Sequence, residues 1–258
     1  MENPTSILIT GASSGLGAAL AEHYAKPGVT LFLSGQNAER LDQVEATCRA
    51  AGASVEGRVI DVCDALAMTV WIHQCDQIAP LELVIANAGV GLGNGDNSSL
   101  HEVATKTFDA NVSGVFNTIH PATDCMRIHG QGQIALIASI AAYQGFAASA
   151  AYSASKAAVK SYGEALRGQL RPENITVSVV SPGFVRSRIT DRNDHYMPFF
   201  LEADKAASIM AKALAKGKGR ITFPWPMVPV ARILTNLPMW FLDIINKPMQ
   251  AKRPEESE

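Results

Sequence analysis

Short runs of β-branched and aliphatic residues alternate along this chain with longer segments of helical periodicity. The runs predict strands at 6–10, 29–34, 55–61, 83–87, 133–138, 176–180 and 219–223. Helical patterns lie between them, at 15–25, 38–51, 65–78, 101–126, 150–170 and 202–216. Because such a repeat joins parallel strands through right-handed crossovers, it predicts a Rossmann-type, doubly wound α/β fold of about seven strands with helices on both faces.

Length and composition favour one structural unit. With 258 residues, 47% of them hydrophobic, we expect one domain over 1–223 and, in the same unit, an apolar extension with a charged tail over 224–258. A net charge of −2 without a basic cluster argues against a nucleic-acid partner. Dispersed cysteines and histidines predict neither a metal site nor disulfides, and reduced thiols suit the cytoplasm. The N-terminus has no signal-peptide features, so export is not expected.

A glycine-rich turn follows the first predicted strand. Residues 10–17 read TGASSGLG, and a helical pattern begins directly afterwards. Glycines let a backbone approach a pyrophosphate closely, and a helix N-terminus offers free N–H groups and a partial positive charge. The turn lacks the Gly-Lys-Ser/Thr ending of ATP-binding loops. It therefore indicates dinucleotide binding, with a purely structural strand-to-helix turn as the alternative.

Tyr152 and Lys156 lie four positions apart in a predicted helix and so share one face. A nearby cation favours a phenolate and can lower the pKa of a tyrosine. Ser139 ends an apolar strand, which places its hydroxyl at a carboxyl end. The three residues are candidates for proton transfer, although each type is also common on ordinary helix surfaces and strand ends.

Further motifs follow in order along the chain. They are Asp61-Val62 after the third strand, Asn87-Ala88-Gly89 after the fourth, Asn111 within a helix and Pro182-Gly183 after the sixth. With the glycine turn and the Ser-Tyr-Lys set, they resemble the short-chain dehydrogenase/reductase family, in its single-domain members, over 6–190. The resemblance implies an NAD(P)-dependent oxidoreductase that interconverts a small-molecule alcohol and a carbonyl compound by hydride transfer. It also implies a homodimer or homotetramer.

The resemblance assigns the catalytic roles. Tyr152 would be the general acid or base, and Ser139 would hold the substrate oxygen. Lys156 would bind the nicotinamide ribose and, together with the positive charge of the oxidised nicotinamide, lower the pKa of the phenol. Asn111 would complete a water-linked proton relay with Lys156. The structural alternatives are a helix-interior asparagine, a strand-end serine cap and a surface lysine.

Cofactor contacts are implied in each of these motifs. Asp61 and Val62 would contact adenine, the triad after the fourth strand would pass along the ribose, and the segment after the sixth strand would meet the nicotinamide and the pyrophosphate. The implied cofactor-binding set is Gly11, Ser13, Ser14, Gly15, Leu16, Gly17, Gln36, Asp61, Val62, Asn87, Ala88, Gly89, Tyr152, Lys156, Pro182, Gly183, Val185 and Ser187.

The end of the second strand departs from the family pattern. Relatives carry there an aspartate that marks NAD or an arginine that marks NADP, whereas residues 34–37 here read SGQN. We favour NADP over NAD, with Ser34, Gln36 and Asn37 supplying neutral hydrogen bonds and Arg40 aiding them.

Two segments bear on the substrate side. Arg186 and Arg188 precede a polar and aromatic stretch at 194–200 that could form a lid. The arginines would either face an anionic substrate or be solvated. The apolar segment 224–245 is interrupted by charged and proline residues, so it predicts two short amphipathic helices rather than a membrane span. These could cover the cleft, pack in an oligomer interface or make peripheral contact with a membrane.

Two other functions compete with the oxidoreductase. A non-catalytic dinucleotide-binding sensor or scaffold could share the fold, but such proteins tend to lose the tyrosine or the lysine that this chain keeps. Nucleotide-sugar epimerases and dehydratases need a longer chain with a separate substrate domain. The sequence does not specify the substrate.

Overall fold

Seven parallel strands form one sheet in the computed structural model, which describes residues 3–91, 99–187, 190 and 197–246. The strand order is β3-β2-β1-β4-β5-β6-β7. The strands are β1 Ser6–Ile9, β2 Thr30–Gly35, β3 Ser54–Val59, β4 Leu83–Ala86, β5 Gly132–Ile137, β6 Ile175–Pro182 and β7 Arg220–Phe223. The predicted Rossmann-type architecture is confirmed.

Helices connect the strands. Within the described ranges they are α1 Gly15–Tyr24, α2 Ala38–Ala50, α3 Ala65–Ile78, α4 Leu100–Phe108, α5 Gly114–His129, α6 Ala150–Leu170, α7 Ala203–Ala215, α8 Met227–Leu234 and α9 Met239–Asn246. Several ends follow from local chemistry: Asp64 caps α3 by accepting from the Ala67 N–H, and Gly130 ends α5 in the left-handed conformation, with φ at 68°. One difference matters for function. The helix predicted at 101–126 is interrupted by a π-helical turn at Asp109–Ser113.

The core consists of two apolar layers, one on each face of the sheet. Ile7 and Ile9 of β1 pack on the side of α1, α2 and α7, whereas Leu8 packs on the side of α3, α5 and α6. Because both faces are covered, the central strands are apolar at consecutive positions. The layers leave open the edge where the carboxyl ends of the parallel strands meet. β1 lies between β2 and β4, so the connections from this point run in opposite directions and open a crevice.

The C-terminal extension contains the two predicted short helices. α8 packs near β7, and the hydroxyl of Thr235 just after it donates to the carbonyl of Tyr143 at 2.9 Å. Several side chains of this segment are exposed, among them Trp225, Met239 and Trp240. Among the described residues, none of the helices has the length and apolarity to cross a bilayer. The charged tail at 252–258 lies outside the described residues.

Candidate active site

A cleft of about 580 Å³ opens at the carboxyl edge of the sheet. The β1–α1 turn and the ends of β2, β4, β5 and β6 form its walls. Most of the residues predicted for cofactor binding or catalysis line it: Gly11, Ser13, Ser14, Gly15, Leu16, Gln36, Val62, Asn87, Ala88, Gly89, Ser139, Tyr152, Lys156, Pro182, Gly183, Val185 and Ser187. Gly17, Asp61 and Asn111 are not part of the lining.

The glycine turn is held in shape by Asn87. Its side-chain amide donates to the carbonyls of Thr10, at 3.0 Å, and Gly11, at 3.2 Å. In return the Thr10 hydroxyl accepts from the backbone N–H groups of Asn87 and Ala88, both at 3.1 Å. Gly11 has a φ of 66°, which favours glycine, and Gly17 lies directly against the Gly11 carbonyl. Asn87 therefore holds the turn in place from the end of the neighbouring strand. That residues 87–89 also lie along the cofactor ribose stays a prediction.

Ser139 and Tyr152 meet at one wall of the cleft. Ser139 follows β5, Tyr152 lies in the first turns of α6, and their side chains are close enough for Ser139 to influence the phenol. Burial raises the pKa of the Tyr152 phenol, and the nearby Ser139 side chain offsets this only in part. On balance the protein alone raises the pKa of Tyr152, and a lowering by Lys156 together with an oxidised nicotinamide stays a prediction.

Lys156 is buried beneath the tyrosine. Its ammonium group donates to the carbonyl of Ile137 at 2.8 Å and lies 5.8 Å from the centre of the Tyr152 ring. Burial lowers the pKa of Lys156 to about 8. The lysine is therefore mostly cationic at neutral pH and loses its charge just above it.

Asn111 lies in the π-helical turn and is fully buried. Its side-chain oxygen accepts from the Val90 N–H at 2.7 Å, and its amide nitrogen donates to the Val90 carbonyl at 3.0 Å. A Cβ on Gly89 would come within 2.8 Å of the Asn111 oxygen and 3.3 Å of the Lys156 nitrogen. Asn111 thus supports the loop after β4, and its water-linked relay with Lys156 stays a prediction. Single π-helical turns are frequent at functional sites.

The end of β2 forms the far wall. Gly35 packs so closely on Ser13 that a Cβ would lie 2.8 Å from its side chain. The side chain of Asn37 accepts from the Arg40 N–H at 2.9 Å and so caps α2. This helix-capping role qualifies the expectation that Asn37 acts as a cofactor ligand. Ser34 Oγ and Arg40 Nε line the same wall, are buried and have no hydrogen-bond partner among the described residues.

Of the two residues predicted to contact adenine, only Val62 lines the cleft. Val62 is buried, lines the cleft and packs against Gly114. Asp61 is exposed, and its carboxylate accepts from the Cys63 N–H at 2.9 Å. The pattern analysis also missed several lining residues, among them Ile60, Val90 and Ala110. Their positions next to recognised motifs are the only signal that could have identified them.

The segment after β6 closes the opposite end. Ser187 and Thr190 are tied together, since the Ser187 N–H donates to the Thr190 hydroxyl at 2.9 Å and that hydroxyl contacts the Val185 carbonyl at 2.9 Å. Arg186 forms an ion pair with Glu202 at 2.7 Å and lies over the ring of Phe200. Arg186 is exposed, in agreement with the solvated alternative. Arg188, residues 194–196 of the suggested lid and residues 92–98 lie outside the described residues.

Comparison with known proteins identifies the family. The sequence profile of the short chain dehydrogenases matches residues 5–197. The chain belongs to the short-chain dehydrogenase/reductase family. It is 36% identical to an uncharacterized oxidoreductase of Myxococcus xanthus over 232 residues, 90% of this chain and 92% of that protein. It is also 32% identical to a putative ketoacyl reductase of the monensin polyketide synthase from Streptomyces virginiae, over 72% of each chain.

Solved structures of short-chain dehydrogenases/reductases have the same fold. A member from Burkholderia phymatum, in complex with NAD, aligns with a TM-score of 0.80 and 26% identity and covers 97% of this chain and 98% of its own. One from Sphingobium yanoikuyae, in complex with NADPH, aligns with a TM-score of 0.77 and 25% identity over 91% and 96%. This chain is therefore an oxidoreductase enzyme of that family.

Proposed function

We propose that this enzyme interconverts an alcohol and a carbonyl compound, with NADP(H) as the hydride carrier and Tyr152 as general acid and base. The observation that carries the proposal is that Ser139 and Tyr152 line one cleft together with the buried ammonium group of Lys156, and that this cleft begins at a glycine turn. When bound, the nicotinamide supplies or accepts the hydride. The non-catalytic sensor gains no support from a site in which both Tyr152 and Lys156 line the cleft.

The cleft fits a dinucleotide. The β1–α1 turn and the start of α1 form a cradle in the cleft wall, lined by Gly11, Ser13, Ser14, Gly15 and Leu16. Such a cradle admits a pyrophosphate against backbone N–H groups. Two buried polar atoms without partners among the described residues, Ser34 Oγ and Arg40 Nε, stand at the end of β2, where the family binds the adenosine ribose.

In carbonyl reduction, Ser139, Tyr152 and Lys156 each have a separate role. Ser139 donates a hydrogen bond to the carbonyl oxygen of the substrate and holds it beside the phenol. Tyr152 gives its proton to that oxygen as negative charge develops there, and its raised pKa keeps the proton available at neutral pH. The Lys156 ammonium stabilises the resulting phenolate. In alcohol oxidation the same groups act in reverse.

The reaction is tested with a panel of ketones, aldehydes and alcohols, by following the absorbance of the dihydronicotinamide. The panel includes an acetoacetyl thioester, because relatives from Streptomyces virginiae and Nostoc are named as ketoacyl reductases, one of them putative. We expect reduction of at least one ketone.

We expect tighter binding of NADPH than of NADH. The guanidinium of Arg40 is the cation of the β2 wall, and a 2′-phosphate would satisfy its unpartnered Nε. Arg40→Met should weaken NADPH binding about tenfold and leave NADH binding unchanged, measured by the fluorescence of the bound cofactor. Arg58→Met, which removes an exposed arginine of β3, is the control. Equal affinity of the parent enzyme for both cofactors would contradict the preference.

Cofactor capture should weaken above about pH 8. Because the pKa of Lys156 in the folded protein is about 8, its ammonium is present below that pH and is lost as the pH rises through it. Since kcat/KM reports ionisations of the free enzyme, kcat/KM for NADPH should fall about tenfold per pH unit beyond that point. A profile that stays flat to pH 10 would show that the cation is not required.

Loss of folding would not explain such a fall. The folded-state pKa of Lys156 lies below its ordinary value of 10.5, so the unfolded chain binds more protons in the window between about 8 and 10.5. The contribution of Lys156 to stability therefore rises with pH there. Urea unfolding of the parent and of Lys156→Met should show the stability of the parent gaining on that of the variant across the window.

Three further expectations concern the compartment of the enzyme, its oligomeric state and its contact with membranes. Cys48, Cys63, Cys75 and Cys125 are all free, which is compatible with a reducing compartment such as the cytoplasm. A homodimer or homotetramer, testable by light scattering, stays a prediction. So does peripheral membrane contact through the exposed side chains of α9.

A further inference from the structure

A chain of hydrogen bonds joins the loop after β4 to the backbone of Tyr152. Asn111 holds both backbone groups of Val90, and its amide nitrogen also donates to Ser155 Oγ at 3.0 Å. The Ser155 hydroxyl donates to the carbonyl of Tyr152 at 2.8 Å. Asn111 and Ser155 are both completely buried. Two polar side chains thus connect the cleft wall to the helix that carries the tyrosine.

The donors and acceptors of this chain leave little freedom. A hydroxyl has one proton, and Ser155 uses it on Tyr152, so toward Asn111 it can only accept. The Asn111 amide has two N–H hydrogens, one directed to Val90 and the other to Ser155. A flipped amide would lose both bonds to Val90 as well as the bond to Ser155. Val90 and Ser155 therefore hold the Asn111 side chain in one orientation from two sides.

We infer that Ser155 is a positioning residue of the active site: it holds Asn111 against Val90 and so fixes the wall at 87–91 relative to Tyr152. Displacement of Asn111 would also disturb the reacting groups, because the Asn111 side chain and the Lys156 ammonium both lie close to Gly89. The structural part of this inference stands alone, whereas its catalytic consequence rests on the proposed function.

The chain provides a matched control two residues away. Ser153 lies in the same helix and is also buried, but its hydroxyl has no hydrogen-bond partner among the described residues. Ser153→Ala and Ser155→Ala remove the same atom from the same helix. Only the second removes a link of the chain.

Hydrogen exchange of the whole protein tests the link without any substrate. The Val90 amide is held by Asn111, so Ser155→Ala should speed its exchange about tenfold or more, while Ser153→Ala leaves it at the parental rate. Ser155→Cys keeps the side chain's size but bonds weakly, and it should resemble Ser155→Ala. Parental exchange at Val90 in both Ser155 variants would overturn the inference.

Kinetics test the catalytic consequence, on whichever ketone of the panel the parent enzyme reduces. Ser155→Ala should lower kcat about tenfold with little change in the KM for NADPH, because misplaced reacting groups slow the chemistry rather than capture. Asn111→Ala combined with Ser155→Ala should be no slower than Asn111→Ala alone, since both interrupt one chain. Additive losses, or equal kcat values for the Ser155→Ala and Ser153→Ala variants, would contradict the positioning role. A parent enzyme that converts no member of the panel would refute the proposed function instead, and the exchange result would still decide the role of Ser155.

Discussion

Tyr152→Phe is expected to lower kcat by about 10³-fold while the protein stays folded and binds NADPH. The substitution removes the hydroxyl that lies beside Ser139 and keeps the half-buried ring. Loss of a positioned general acid costs about 10² to 10⁴ in rate. The measurement is single-turnover reduction of the panel ketone, with NADPH binding followed by fluorescence.

Tyr162→Phe is the matched control for this experiment. Tyr162 lies on the same helix, but its hydroxyl contacts His120 at 2.8 Å and does not line the cleft. Its removal should leave kcat within about twofold of the parental value. Parental turnover by Tyr152→Phe would refute the mechanism, and loss of NADPH binding in that variant would attribute the effect to cofactor capture instead.

Gly17→Ala is expected to weaken NADPH binding by about 100-fold or more and to destabilise the fold by about 1–3 kcal/mol. Gly17 is in α1, where alanine would ordinarily be favoured. A Cβ at this position, however, would clash with the Gly11 carbonyl and lie 2.6 Å from the amide nitrogen of Asn87. The backbone must move, and with it the turn that faces the cleft. Titration fluorescence and urea unfolding measure the two effects.

Gly168→Ala is the control that distinguishes the clash of a Cβ at position 17 from the general effect of replacing a helical glycine with alanine. Gly168 is exposed in α6, and a Cβ there would meet nothing within 4 Å. The change should stabilise the protein by about 0.5–1 kcal/mol and leave NADPH binding unaltered. If Gly17→Ala behaved like this control, the close packing of the glycine turn would have no part in cofactor binding.

Much of the active site could be recognised from the sequence because its residues belong to local motifs. Tyr152 and Lys156 share a helix face, and Gly11 and Gly15 stand between a strand and a helix. In such motifs spacing alone determines the geometry. The exposure of Asp61 and the capping role of Asn37 were not predicted, since both depend on how a loop leaves the sheet.

The pKa of Tyr152 in the protein alone is a second property that the sequence did not predict correctly. Spacing to Lys156 suggested a lowered pKa, whereas burial raises it. Sequence spacing indicates which charged residues can lie near a titratable side chain. The cost of desolvating that side chain, however, depends on every helix, strand and loop that covers it. Here Lys156 is buried and Tyr152 is half-buried, on a helix that packs against β5.

The sequence by itself determined the parallel α/β fold and the order of the site motifs, because periodic burial imposes strands and helices locally and parallel strands gather their carboxyl ends at one edge. Tertiary structure alone decided the π-helical turn at Asn111 and its bond to Ser155, 44 residues away. That contact exists only once the π-helical turn and α6 pack together. Its donors are then buried and must find partners, which no local pattern records.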